Sequence, residues 1–163
     1  MKTTLFALAI LLTSCSVQKA TISMSTFYPY CGGAKPTPEM AAGRKEPCSN
    51  VKVALVKEGE TTIYKWLSLD KDGMWIGNLA PGNYSIFQED KFLSTEELIK
   101  KHNLINSDLY RFNGNTCLEK WKKEPDFRIV FDKSWSNLSE FIFKSKCQVG
   151  LRPCLEYIGP KVN

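Results

Sequence analysis

From residue 51 to residue 87 the chain alternates apolar and polar side chains and breaks the alternation again and again with turn-forming residues. Helices do not produce that pattern. Val51, Val53 and Leu55 fall on one face and Lys52, Ala54 and Val56 on the other, the two-residue period of an extended strand. Glu58-Gly59-Glu60 turns the chain. Thr62 to Leu69 then supplies β-branched and aromatic residues suited to a pleated surface. Asp70-Lys71-Asp72-Gly73 turns back, Met74-Trp75-Ile76 extends, and Ala80-Pro81-Gly82-Asn83 leads into Tyr84 to Phe87. Strands this short and closely spaced pack as antiparallel neighbours. Phe127 to Phe131 and Leu138 to Lys144 predict two further strands on either side of a turn at 132–137. Between these groups Ser94-Thr95-Glu96-Glu97 is a capping box, so a short helix is expected to about His102, ended by Asn103. The chain is therefore expected to be mainly β, an antiparallel sandwich with one short helical insertion near 94–105.

The run Asp70, Asp72-Gly73, Trp75, Leu79, Pro81-Gly82, Tyr84 and Ile86 resembles the prealbumin-like (Ig-like) β-sandwich of carboxypeptidase regulatory-like and collagen-adhesin B-type domains. Each position has a physical reason. Gly73 suits a positive φ at a hairpin tip, Pro81-Gly82 suits a tight turn, and Leu79, Tyr84 and Ile86 are expected to point inward. The resemblance covers a small part of the chain and implies a fold, not an activity.

The N-terminus carries an address. Lys2 precedes an apolar run, Leu5 to Leu12, which is too short for a transmembrane helix, a span that needs about 20 apolar residues. Leu12-Thr13-Ser14-Cys15 resembles the lipobox of bacterial lipoproteins. The resemblance implies cleavage before Cys15, acylation of that cysteine and attachment to a membrane through the lipid, with more than one acyl chain for a stable anchor. Residues 1–14 are then a signal peptide, 15–26 the lipidated cysteine with a small, polar tether, and 27–163 the domain. Within residues 27–39, Tyr28-Pro29-Tyr30-Cys31-Gly32-Gly33-Ala34-Lys35-Pro36-Thr37-Pro38-Glu39 is similar to a segment of small lipoproteins of Bacteroidota-type bacteria that carry no assigned activity. In such bacteria surface display goes with acidic residues after the lipidated cysteine, and Ser16-Val17-Gln18-Lys19 has none, so an outer-membrane anchor facing the periplasm is expected. Loss of Lys2 lowers the formal charge from +5 to +4. The lysines are dispersed, and Lys122-Lys123 is diluted by Glu119, Glu124 and Asp126, so no nucleic-acid partner is expected.

Assigning Cys15 to lipid leaves Cys31, Cys48, Cys117, Cys147 and Cys154 in an oxidising compartment, an odd number. Two disulfides and one free thiol follow most simply. Cys48, in a polar loop beside Pro47, is expected to be the spare one, with Cys31, Cys117, Cys147 and Cys154 forming two bridges of open connectivity that staple the ends of the chain to the middle. A zinc site on those four thiols is the rival reading, but the wide Cys147 to Cys154 spacing and the single histidine, His102, argue against it. No catalytic, metal or cofactor site is expected. His102 has no evident thiol to activate, and Asp70 and Asp72 belong to a turn that their short side chains support.

Phe27, Tyr28 and Tyr30 beside a Gly- and Pro-rich loop, residues 27–39, are the candidate binding residues, a platform for a glycan or peptide. Prolines in that loop exclude a regular helix or central strand. The expectation is a lipid-anchored envelope protein that is not an enzyme but a binding or scaffold module, with an envelope protein or glycan as partner. The alternatives are a dedicated glycan or peptide binder at 27–39, or a thiol-based metal or redox protein.

Overall fold

The computed structural model describes residues 17–33, 35–132 and 138–160. In chain order its elements are β1 (Gln18–Tyr28), α1 (Pro38–Ala41), β2 (Arg44–Pro47), β3 (Lys52–Lys57), β4 (Ile63–Ser68), β5 (Met74–Leu79), β6 (Gly82–Gln88), α2 (Thr95–His102), β7 (Tyr110–Phe112), α3 (Gly114–Lys123), β8 (Phe127–Phe131), β9 (Leu138–Lys144) and β10 (Leu155–Tyr157). A 3-10 turn, Glu89–Phe92, follows β6. Cys15 and the signal-like segment lie outside the described residues, as do most of the turn expected at 132–137.

Two sheets face each other. In the first, β1 is central: its N-terminal half pairs antiparallel with β5, its C-terminal half with β2, and its other edge parallel with β9. The second has the order β4-β3-β6-β8, all antiparallel. Between them lie Ala20, Ile22 and Met24 of β1, Val53 and Leu55 of β3, Leu67, Leu79, Tyr84, Ile86, Ile129 and Phe131. The molecule is a mainly β sandwich with a helical insertion. The three inward positions read from the Pro81-Gly82 segment, Leu79, Tyr84 and Ile86, are all buried. Gly73 has φ +71°, and a Cβ there would lie 2.4 Å from the Met24 carbonyl oxygen, so only glycine lets the turn approach β1. Asp70 Oδ1 accepts from the N–H groups of Asp72 and Met74, the bend-supporting role expected of it.

The tether expected over 15–26 is corrected by β1, which begins at Gln18, well before Phe27. Its inward residues are Ala20, Ile22 and Met24, and its outward ones are Lys19, Thr21 and Ser23, a two-residue alternation disguised by small and hydroxylated side chains. The insertion is also larger than 94–105. It fills the chain from the end of β6 to the start of β8 and contains α3 as well as α2. The α2 capping box forms as read, Ser94 Oγ accepting from the Glu97 N–H and Glu97 from the Ser94 N–H, and Asn103 ends the helix with φ 49°. Strands β8 and β9 match the expected bounds, but they belong to different sheets.

A second, smaller core lies beside the sandwich: Leu104, Leu118, Val149 and Leu155, with Ile99, Tyr110, Phe112 and Tyr157 packed against them. The β7-β10 ribbon closes it. Lys91 joins the insertion to the second sheet. Its side chain is 3% exposed, donates to the Glu124 carbonyl at 2.6 Å and to Asp126 Oδ1 at 2.9 Å, and lies over the Trp121 ring. Among the described residues no helix is long and apolar enough to cross a membrane.

Candidate functional site

At the far end of β1 the chain leaves the sheet through Tyr28-Pro29-Tyr30-Cys31-Gly32 and returns along α1 and β2. The space between is a cleft of about 580 Å³ lined by Tyr28, Pro29, Tyr30, Cys31, Gly32, Glu39, Met40, Gly43 and Arg44. Its shape is written into the local sequence. Pro38 occupies the first turn of α1, where a missing N–H costs nothing, and Thr37 Oγ1 caps the helix by accepting from the Met40 N–H. The prolines of this loop thus allow one short helical turn where none was expected. Gly43, with φ +69°, ends that turn close against the Tyr28 carbonyl and the Phe27 ring, where a Cβ would meet atoms at 2.6 to 2.9 Å.

The cleft wall is aromatic and amphipathic. Arg44 lays its guanidinium 4.9 Å from the Tyr28 ring centroid and pairs with Glu46 through Nε at 3.3 Å. Tyr30 folds over Gly32, where an added Cβ would lie 2.2 Å from the phenol oxygen. Met40, on α1, is 46% exposed. Glu39's own N–H and the Thr37 hydroxyl hold its carboxyl below the usual range, so the rim carries an acidic group opposite Arg44's cation. Of the three residues singled out as a platform, Tyr28 and Tyr30 line the cleft. Phe27 does not: neighbours in a strand point to opposite faces, and its ring supports Gly43 instead.

The candidate thiols resolve into two bonds, Cys31–Cys147 and Cys117–Cys154, and one free cysteine, Cys48. The first bridge links the cleft loop directly to the C-terminal tail, and the second holds α3 to that tail across the smaller core. Cys48 follows Pro47 in the loop after β2 and is buried there, with Sγ 3.5 Å from Thr26 Oγ1, and burial pushes its thiol pKa up. A nucleophile needs the opposite shift.

His102 and Cys48 do line one cleft, of about 540 Å³, an association that the sequence did not suggest. His102 Nε2 lies 2.8 Å from Asp90 Oδ2, and Lys101 Nζ lies 2.6 Å from Asp90 Oδ1. The bond to His102, with Lys101 beside it, holds the Asp90 carboxyl below its usual range. The histidine is thereby committed to a carboxylate, which ties α2 to the 3-10 turn. Among the described residues no cluster of three or more His, Cys, Asp or Glu is arranged to hold a metal ion. No protein-family model and no curated protein matches the chain.

Proposed function

We propose that this chain is a lipid-anchored protein of the cell envelope, carried on Cys15, and that it works as a non-enzymatic binding module of carboxypeptidase regulatory-like type. Its ligand is a glycan or an extended peptide, taken in the cleft between Tyr28, Tyr30, Met40 and Arg44. The observation that carries this reading is the convergence of two tyrosines, a methionine and a stacked arginine on one concave surface. Ligand sites combine apolar and aromatic walls with a few polar groups that fix orientation. Tyrosine faces suit sugar rings and peptide side chains alike, while Arg44 and Glu39 supply the polar discrimination.

The test is a binding screen of the disulfide-intact protein against an oligosaccharide panel and a panel of short extended peptides. Each hit is then remeasured by calorimetry with Tyr30→Ala and Arg44→Ala. Affinity should fall roughly tenfold for each, the size expected for an aromatic or arginine anchor. Hits that bind both variants as tightly as the parent protein would exclude this cleft.

A further inference from the structure

Among the described residues, β2, β5 and β9 leave one edge of the first sheet unpaired, and β4 and β8 do so in the second. An open edge accepts another strand, and folded proteins guard it with brevity, proline or a bulge, while an internal glycine weakens it. Strand β2 has four residues and ends in Pro47, β5 contains Gly77, the ladder of β3 with β4 shifts register after Leu55, and β8 has five residues. Strand β9 has none of these guards. It runs for seven residues, Leu138 to Lys144, in unbroken register with β1 and contains neither glycine nor proline.

The outer edge of β9 offers a full set of main-chain partners. The Ser145 N–H donates to the Phe27 carbonyl at 2.9 Å, and along a strand alternate residues turn the same way. Ser139, Phe141 and Phe143 therefore bond to β1, and the N–H and C=O groups of Glu140, Ile142 and Lys144 turn to the open side. The side chains of these three point outward with Leu138, in step with Thr21, Ser23, Ser25 and Phe27 of β1. Ile142 and Leu138 are both exposed there. Glu140 gives Oε1 to Lys45 across β1, yet its side chain stays half-exposed. Lys144 is exposed and, among the described residues, has no ion pair.

We propose that a second copy of this chain adds antiparallel along β9, with Ile142 on the two-fold axis, and joins the first sheets of two molecules into one continuous sheet. The placing of the two charges selects this occupant. Glu140 and Lys144 stand two residues either side of Ile142, so the rotation that sets Ile142 against itself sets Glu140 opposite the partner's Lys144 and Lys144 opposite the partner's Glu140. Opposite charges on facing residues stabilise an antiparallel pair, and like charges there destabilise it. The backbone agrees with the charges. Residues 140, 142 and 144 are the ones whose main-chain groups turn out, so each facing pair exchanges both of its hydrogen bonds. An axis at Glu140 or at Lys144 would bring like charges face to face, and one at Phe141 would set Glu140 against the partner's Ile142. Such a contact uses the same surface on both molecules and closes with two.

Sedimentation and cross-linking of the full chain test this, with Cys15→Ala in every variant so that no lipid drives association. The expected species is a dimer of the 18.5 kDa chain. A hydrogen-bonded antiparallel pair holds its Cα atoms about 5.5 Å apart, within disulfide reach, so Ile142→Cys should give a covalent dimer on mild oxidation. Leu138→Cys should not, because the register sets it about 27 Å from its counterpart at ~3.4 Å per residue. Cys48 is buried in both variants. Lys144→Glu breaks no ion pair within the chain and should weaken association about tenfold, since both attractive pairs become repulsive. Adding Glu140→Lys exchanges the two charges and should recover most of that loss. A chain still monomeric at about 1 mM overturns the proposal and leaves the edge to a strand of a different protein. A dimer that Lys144→Glu leaves untouched, or that cross-links at 138 rather than at 142, overturns it too. So does growth beyond two copies, which a closed two-fold contact forbids.

Discussion

Two carboxylates show how local surroundings set opposite contributions. The folded pKa of Asp90 is lowered by His102 and Lys101, so its contribution is whole above about pH 4, the ordinary carboxyl value, and disappears as pH falls through the folded value. Asp126 runs the other way. Burial raises its folded pKa despite the Gln88 N–H and Lys91, so ionisation costs stability that is regained as pH falls through the folded value. Thermal midpoints followed across the acid range should therefore decline less steeply for Asp90→Asn and more steeply for Asp126→Asn than for the parent protein. At neutral pH, Asp126→Ala leaves the Lys91 ammonium buried without its counter-charge. That variant should lose about 3–5 kcal/mol in denaturant unfolding, the cost of breaking a buried pair. Cys48 gives a third expectation at this scale. Without reductant it should resist alkylation in the native protein and react once the protein is unfolded, and native labelling would show that its cavity opens.

Among the elements, α3 and the tail pack around a small core of their own, tied to the sandwich through Lys91 and the Cys31–Cys147 bridge. The Cys117–Cys154 bridge closes a loop around the small core of Leu104, Leu118, Val149 and Leu155. Replacing both cysteines with Ala should cost about 2–4 kcal/mol. Hydrogen-exchange protection should be lost at 104–118 and 149–157 while β3, β6 and β8 keep theirs. Uniform loss over both regions would mean that the two cores open together. The elements legible in the sequence are those whose signals are local: the alternation of β3, the turn residues around β5 and the capping box of α2. Helix α3 was hidden because Asn113 makes no side-chain cap and Gly114 opens the helix with φ +81°. Its amphipathic face is built around a single buried residue, Leu118. Strand β1 was hidden because Ser and Thr occupy alternate positions and blur the hydrophobic period, and what fixes it is pairing with β5, β2 and β9, contacts remote in sequence. For the site, the tyrosines were legible as a composition. Met40 and Arg44 were not, because only the pairing of β2 with β1, which sets α1 across the loop, brings them there.

For the whole molecule the sandwich is one body whose central strand runs from the cleft loop to the β5 end. Truncating Ile22 to Ala should remove about 2–5 kcal/mol, as a fully buried aliphatic side chain at the sheet-to-sheet interface does on deletion. Both ends should suffer, with the cleft loop and the β5 end losing exchange protection together. A loss confined to one end would show that the halves of β1 are independent.

The placement of β1 also decides how the molecule bears a load. Tension applied at Cys15 would run along the axis of β1, and its hydrogen bonds to β5, β2 and β9 lie across that axis. They would therefore be strained together in shear rather than opened one after another. Beyond Tyr28 the pull would reach Cys31, whose covalent bond to Cys147 passes it to the opposite end of the chain. The strand that fills the core is thus also a tension member, and the domain should withstand a pull on the N-terminal end of β1 far better than peeling from its C-terminal tail.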